Sequence, residues 1–139
     1  MCTKEIPYSS ILVVDDSEVD FFIATTILKG NNPSAQVGFA MDVNGGLNML
    51  KNSALEKLPD LILLDMHFER QEKQGPDFLN EFKTLRSTFK KEIRIIVLTA
   101  FVGFIDYKQF AKDFPDTSIL KKPLSLEKIL SVSPFRQSA

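Results

Sequence analysis

Leu61-Ile62-Leu63-Leu64-Asp65, introduced by Pro59-Asp60, is an apolar run with no polar alternation that stops on an acid. Periodicity alone fits a short strand or a buried helical segment, and the flanking proline and the brevity of the run favour the strand. Ile11-Leu12-Val13-Val14 repeats the pattern and stops on Asp15-Asp16. Residues 93–98 are the strongest strand signal in the chain and end at Thr99-Ala100. Shorter runs at Gln36–Ala40 and Thr117–Lys121 read as two further strands.

Between the strands the apolar residues recur at helical spacing. Val19, Phe22, Ile23, Thr26 and Ile27 form one predicted face, closed by Lys29-Gly30-Asn31-Asn32-Pro33. Val43, Leu47, Leu50 and Ala54 form a second. Gly75-Pro76-Asp77 opens a third helix, since proline suits a first turn, with Phe78, Phe82, Leu85 and Phe89 as its stripe. A fourth is expected over 103–114, and a fifth from Ser125 is kept short by Pro134. The order is strand then helix, five times over.

Strands without polar alternation are buried on both faces, which implies a parallel sheet between two layers of helices. Right-handed crossovers leave few topologies. The expected fold is an α/β three-layer sandwich with a five-stranded parallel sheet in the flavodoxin-like order 2-1-3-4-5, whose ligand site lies beyond the carboxyl ends of strands 1 and 3.

A chain of 139 residues fits one domain, able to bury roughly two-thirds of its unfolded surface. Lys and Arg number 17 against 18 Asp and Glu, and the isoelectric point is about 5.8. That balance gives no electrostatic case for binding nucleic acid. The single cysteine, Cys2, has no partner for a disulfide. No stretch approaches the roughly 20 apolar residues that span a bilayer, and the first residues lack a signal-peptide core. A cytoplasmic protein with no membrane contact is the expectation.

Chemistry gathers at the strand ends: Asp15-Asp16 after strand 1, Asp65 after strand 3, Thr99 after strand 4 and Lys122, before Pro123, after strand 5. Strands 1 and 3 are neighbours in this order, about 4.8 Å apart, so three carboxylates converge. Such a cluster repels itself and raises at least one pKa unless a cation intervenes. Mg²⁺ takes oxygen ligands and keeps several waters. Asp16 and Asp65 are the expected direct ligands, with Asp15 acting through water and the His67 backbone carbonyl adding a third protein oxygen. A carboxylate beside Mg²⁺ can attack phosphorus and form an aspartyl phosphate. The transferring group then needs positive charge and donors. Lys122 begins about 10 Å from strand 3, within reach of its side chain. Thr99 offers a hydroxyl, and the Met66 and Ala100 N–H groups complete the expected cradle.

Val13-Val14-Asp15-Asp16, Leu63-Leu64-Asp65, Leu98-Thr99-Ala100 and Lys121-Lys122-Pro123, in that order and each at a predicted strand end, resemble the receiver domain of two-component response regulators. The resemblance covers nearly the whole chain, dividing it into an N-terminal extension (1–8), a receiver domain (9–133) and a C-terminal tail (134–139). It implies phosphoryl transfer to Asp65 from the phosphohistidine of a sensor histidine kinase or phosphotransfer protein. The phosphate is then gripped by Thr99 and Lys122, and the change shifts a surface read by a downstream protein target. In the family that surface is helix 4, strand 5 and helix 5, and the short last helix here alters it. The resemblance also implies a cis Lys122-Pro123 bond. With no room for an output domain after residue 135, the chain is expected to be a stand-alone regulator, a monomer or a weak phosphorylation-dependent dimer.

Each residue also has an ordinary reading. Asp15 and Asp16 alone serve as well as helix-capping acids, and Thr99 alone is an unremarkable β-branched strand end. Lys121 is read as a solvated charge, because alternation turns it away from Lys122. His67, the only histidine, is read as a loop side chain whose carbonyl carries the role. Gly45-Gly46 is assigned to a helix start or local packing. The family pattern is broken at three places. The 67–74 loop is about two residues longer than usual and lacks a proline, which makes it either a tuner of the site or a tolerated insertion. Ile119 stands where the family places an aromatic switch on strand 5, with Phe101, or Phe104 and Tyr107, as candidate replacements. Phe101 is bulky for its position and is expected to shield the acyl phosphate from water.

Three other classes compete. A haloacid-dehalogenase-type phosphatase needs a second acid two residues after Asp65, where His67 stands. A flavin-binding protein needs hydroxyls and glycines where the first loop carries acids. A phosphorylation-independent adaptor with the same fold does not need Asp15, Asp16, Asp65, Thr99 and Lys122 together.

Overall fold

A computed structural model describes residues 7–100 and 106–132. The elements are β1 (Ser10–Val14), α1 (Glu18–Asn31), β2 (Gln36–Ala40), α2 (Val43–Lys51), β3 (Leu61–Asp65), α3 (Gly75–Leu85), β4 (Arg94–Thr99), α4 (Tyr107–Asp113), β5 (Thr117–Lys121) and α5 (Leu126–Val132). The strands are all parallel and lie in the order β2-β1-β3-β4-β5. This is the flavodoxin-like arrangement expected. Because the sheet is parallel, every strand delivers its carboxyl end to the same edge, which is where the acids fall.

Alternation along the strands divides the core into two layers. Leu12, Val14, Ile62, Leu64 and Val97 pack against Leu47 and Leu50 of α2 and Phe78 and Phe82 of α3, with Phe110 and Phe114 of the α4 region at the margin. Ile11, Val13, Leu61, Leu63, Ile96 and Leu98 face Ala24 and Leu28 of α1 and Ile129 of α5. β3 is buried along its whole length, as a central strand without polar alternation must be. Gly46 lets α2 settle on the sheet: a Cβ there would lie 2.9 Å from Val14 Cγ2 and 3.2 Å from Phe78 Cε2. The glycine therefore serves packing.

The expected face of α1 is corrected. Val19 and Phe22 are 67% and 70% exposed, while Ala24 and Leu28 are buried. Phe21 and Ile27 flank the buried pair, and Phe21 stacks on Phe39 of β2 with ring centres 4.1 Å apart. The helix is apolar on two adjacent faces, so spacing alone does not choose between them. The sheet takes the face carrying the small Ala24. α1 ends at Asn31, within the closing stretch expected at 29–33, and Asn32 caps it with an N–H that donates to the Leu28 carbonyl. Ala54 lies beyond the end of α2 and is exposed.

Candidate functional site

Val14 is in register with Leu64, so the acids that follow them emerge side by side. Asp15, Asp16 and Asp65 each present an oxygen, and the three oxygens lie within 4.8 Å of one another. Asp15 and Asp65 are buried. The Asp15 N–H donates to the Ala40 carbonyl at 3.0 Å, tying the end of β1 to β2. Its Oδ1 accepts the Ser17 N–H at 2.9 Å, while Ser17 Oγ caps α1 by accepting from the Asp20 N–H. The turn after β1 thus fixes the first acid and starts the helix at once.

Lys122 reaches this cluster from β5. Its N–H donates to the Thr99 carbonyl at 2.8 Å, and the Lys122-Pro123 bond is cis, as expected. Its Nζ lies 3.2 Å from Asp65 Oδ1, 3.3 Å from Asp15 Oδ2 and 2.6 Å from Asp20 Oδ2. The long side chain does cross the two strand spacings. Lys121 is exposed, consistent with a solvated charge. Asp20 is the residue that sequence reasoning missed. At the third position of α1, after Ser17, it has the appearance of an ordinary capping acid, and no strand end draws attention to it.

Burial and the neighbouring Asp65 push the Asp15 carboxyl up from 3.8 to about 6. Burial raises Asp65 as well, against the opposing pull of Lys122. For Lys122, burial alone would lower the ammonium pKa. The hydrogen bond to Asp20 and the charges of Asp65 and Asp15 outweigh it and hold the pKa above its usual value. Asp15, Asp20 and Asp65 surround this one cation, with Asp16 beside them. Uncompensated negative charge on clustered oxygens is the donor set a hard divalent cation satisfies, so the residues present fit Mg²⁺.

The 67–74 loop is ordered by its own side chains. Gln74 accepts the Phe68 N–H at 2.7 Å and donates to the Phe68 and Gln71 carbonyls at 2.9 and 2.8 Å. Phe68 is buried beneath it. The Glu69 N–H donates to Asp16 Oδ2 at 2.8 Å, so this loop touches the acid cluster directly. Met66 requires a correction. Its N–H donates to the Leu98 carbonyl at 2.9 Å as the last rung of the sheet, whereas the N–H directed at Asp65 Oδ1 is that of His67, at 3.4 Å. An amide has one hydrogen to give, and the parallel ladder claims that of Met66.

Thr99 is fully buried at the end of β4, and Ala100 is exposed just beyond it. Ile119 is half-buried and packs on the same layer as Phe110 and Phe114. Tyr107, one candidate to replace an aromatic at Ile119, is 49% exposed on α4. Phe101 and Phe104 lie outside the described residues.

The architecture is a doubly wound α/β domain with an acidic pocket at the strand-order switch point. The family model for the response regulator receiver domain matches residues 11–133, and the chain belongs to that family, a signalling domain of two-component systems. It is similar to a two-component response regulator from Legionella pneumophila at 27% identity, covering 88% of this chain and 93% of that one with a TM-score of 0.69. The bacteriophytochrome response regulator AtBRR is 20% identical, with 89% of each chain covered and a TM-score of 0.71. A CheY-like receiver domain protein from Methanospirillum hungatei is 21% identical, with 88% of each covered and a TM-score of 0.68. No curated protein sequence matches the chain. Among the described residues, no helix is long and apolar enough to cross a membrane.

Proposed function

We propose that Asp65 accepts a phosphoryl group from the phosphohistidine of a histidine kinase or phosphotransfer protein, in the cytoplasm, and that the modified domain signals by binding a downstream protein. The observation that carries this reading is the convergence of Asp15, Asp16, Asp65 and Lys122 on one point, with three acid oxygens within 4.8 Å and Lys122 Nζ 3.2 Å from Asp65. An Asp65 carboxylate oxygen forms a bond to phosphorus as the phosphorus–nitrogen bond of the donor breaks. The electron pair leaves with the imidazole. Asp16, Asp65 and the His67 carbonyl would hold Mg²⁺, with Asp15 assisting through water. When bound, the ion supplies positive charge to the oxygens of the transferring group.

Lys122 gives the phosphoryl group a second positive partner, and the Thr99 hydroxyl and the Ala100 and His67 N–H groups give it donors. The gain of charge at Asp65 redistributes the contacts of Thr99 and Lys122 and so shifts the surface beyond β4 and β5. Incubation with acetyl phosphate and Mg²⁺, with the modification mapped by mass spectrometry, tests the reading. Label is expected on Asp65, lost with EDTA and in Asp65→Asn. No label on Asp65 from acetyl phosphate or from any histidine-kinase or phosphotransfer donor would leave a phosphorylation-independent adaptor.

A further inference from the structure

An aspartate at the third position of a helix beginning with Ser ordinarily folds back on the N-cap amide to complete a capping box. Here that amide is already taken: the Ser17 N–H donates to Asp15 Oδ1 at 2.9 Å. The Asp20 carboxylate instead turns into the pocket and takes Lys122 Nζ at 2.6 Å, shorter than the 3.2 and 3.3 Å contacts of Lys122 with Asp65 and Asp15. An ammonium has three hydrogens, and three carboxylates face this one. Lys122 therefore has to release a partner before it can grip a phosphoryl oxygen. Asp20 is also the outermost of the three, its side chain 32% exposed against 2% for Asp15 and 7% for Asp65, so its charge stands at the mouth of the pocket.

We infer that Asp20 is a positioning and specificity-determining residue, which holds Lys122 on the α1 side of the pocket and disfavours capture of phosphate from small free anions. The inference rests on the reading of Asp65 as phospho-acceptor. A small dianionic donor meets the rim charge unscreened and finds Lys122 engaged. A protein donor that brings its own cationic groups to the rim neutralises Asp20 and releases the lysine. This makes Asp20 a filter between the two sources of phosphate.

The test compares the wild-type chain, Asp20→Asn and Asp20→Glu, using acetyl phosphate and Mg²⁺ and quantifying label on Asp65. Asp20→Asn is expected to label about tenfold faster at low salt, with the gap narrowing as added salt screens the rim charge, while Asp20→Glu stays close to wild type. In the absence of any phosphodonor, the Lys122 ammonium hydrogens, followed by ¹⁵N NMR, are expected to exchange faster with water in Asp20→Asn. Wild-type labelling combined with equal or slower labelling of a folded Asp20→Asn overturns the inference. So does unchanged ammonium exchange. Absence of label in the wild type with every donor identifies a different failure, that of the phospho-acceptor reading, and the filter falls with it.

Discussion

Gly75 stands so close to the end of β3 that a Cβ on it would lie 2.7 Å from the main-chain oxygen of Asp65 and 2.9 Å from Met66 Cα. The Gly75 N–H also donates to the Met66 carbonyl at 3.0 Å. The start of α3 is thereby pressed onto the strand that carries the proposed phospho-acceptor. Because the obstructing atoms are backbone, they cannot move aside as the end of a flexible side chain would.

Gly75→Ala is therefore expected to destabilise the chain by about 1–3 kcal/mol, the usual cost of overpacking, and to slow labelling of Asp65 by displacing it. Urea unfolding with acetyl phosphate labelling on the same sample reads both. An unaltered unfolding midpoint would show that α3 can lift away without strain.

Asp15→Asn is expected to separate stability from function. The ionised Asp15 is disfavoured by burial and by Asp65, so a neutral amide of the same shape relieves the metal-free pocket. Lys122 keeps Asp20 and Asp65 as partners. Thermal unfolding in EDTA at neutral pH should show the variant more stable by about 1 kcal/mol, because losing the ion pair with Lys122 offsets part of the relief. Mg²⁺ titration should show much weaker binding. A variant less stable than wild type in EDTA would mean that Asp15 is needed ionised to hold Ser17 and Lys122.

The central strands were legible because a buried parallel strand is a short apolar run ended by a polar residue, and its brevity together with the flanking proline at Pro59 separates it from a buried helical segment. β2 and β5 fall at the residues read from the sequence. The positions of Asp15, Asp16, Asp65 and Lys122 follow from that reading, since parallel strands bring their carboxyl ends to one edge. What was not legible depended on choices among equivalents. On α1, two adjacent apolar faces compete, and only packing against the sheet exposes Val19 and Phe22. At Asp20, the fate of its carboxylate depends on who takes the Ser17 amide, a contact made by a residue outside the helix. At Met66, the sheet continues one rung beyond the acid and claims the N–H.

Gln74→Ala is expected to loosen the loop that touches the acid cluster. The amide makes three hydrogen bonds to Phe68 and Gln71, and their loss frees the segment whose Glu69 N–H holds Asp16. Outer partners of a metal-ligating carboxylate contribute about tenfold or more in affinity. Calorimetric Mg²⁺ titration should show a loss of about that size, with faster proteolysis within 67–74. Unchanged Mg²⁺ affinity alongside faster proteolysis would make the loop a surface insertion with no part in the site.

The stability of the metal-free chain is expected to rise as the solution is acidified from pH 7.5 towards pH 5. Asp15 has its carboxyl raised from 3.8 to about 6 in the folded chain, and Asp65 is raised as well. A group whose folded pKa lies above its unfolded value binds more protons when folded. Its contribution is complete below 3.8 and is lost as the pH climbs through about 6. Lys122, raised above its already alkaline value, does not change charge in this window. The melting temperature in EDTA should therefore be higher at pH 5.5 than at pH 7.5. Saturating Mg²⁺ should reverse the order, because the ion binds the deprotonated carboxylates and must displace protons to do so at the lower pH. A melting temperature in EDTA that stays flat or falls on acidification would mean that the acids of this pocket are not in electrostatic conflict when the metal is absent.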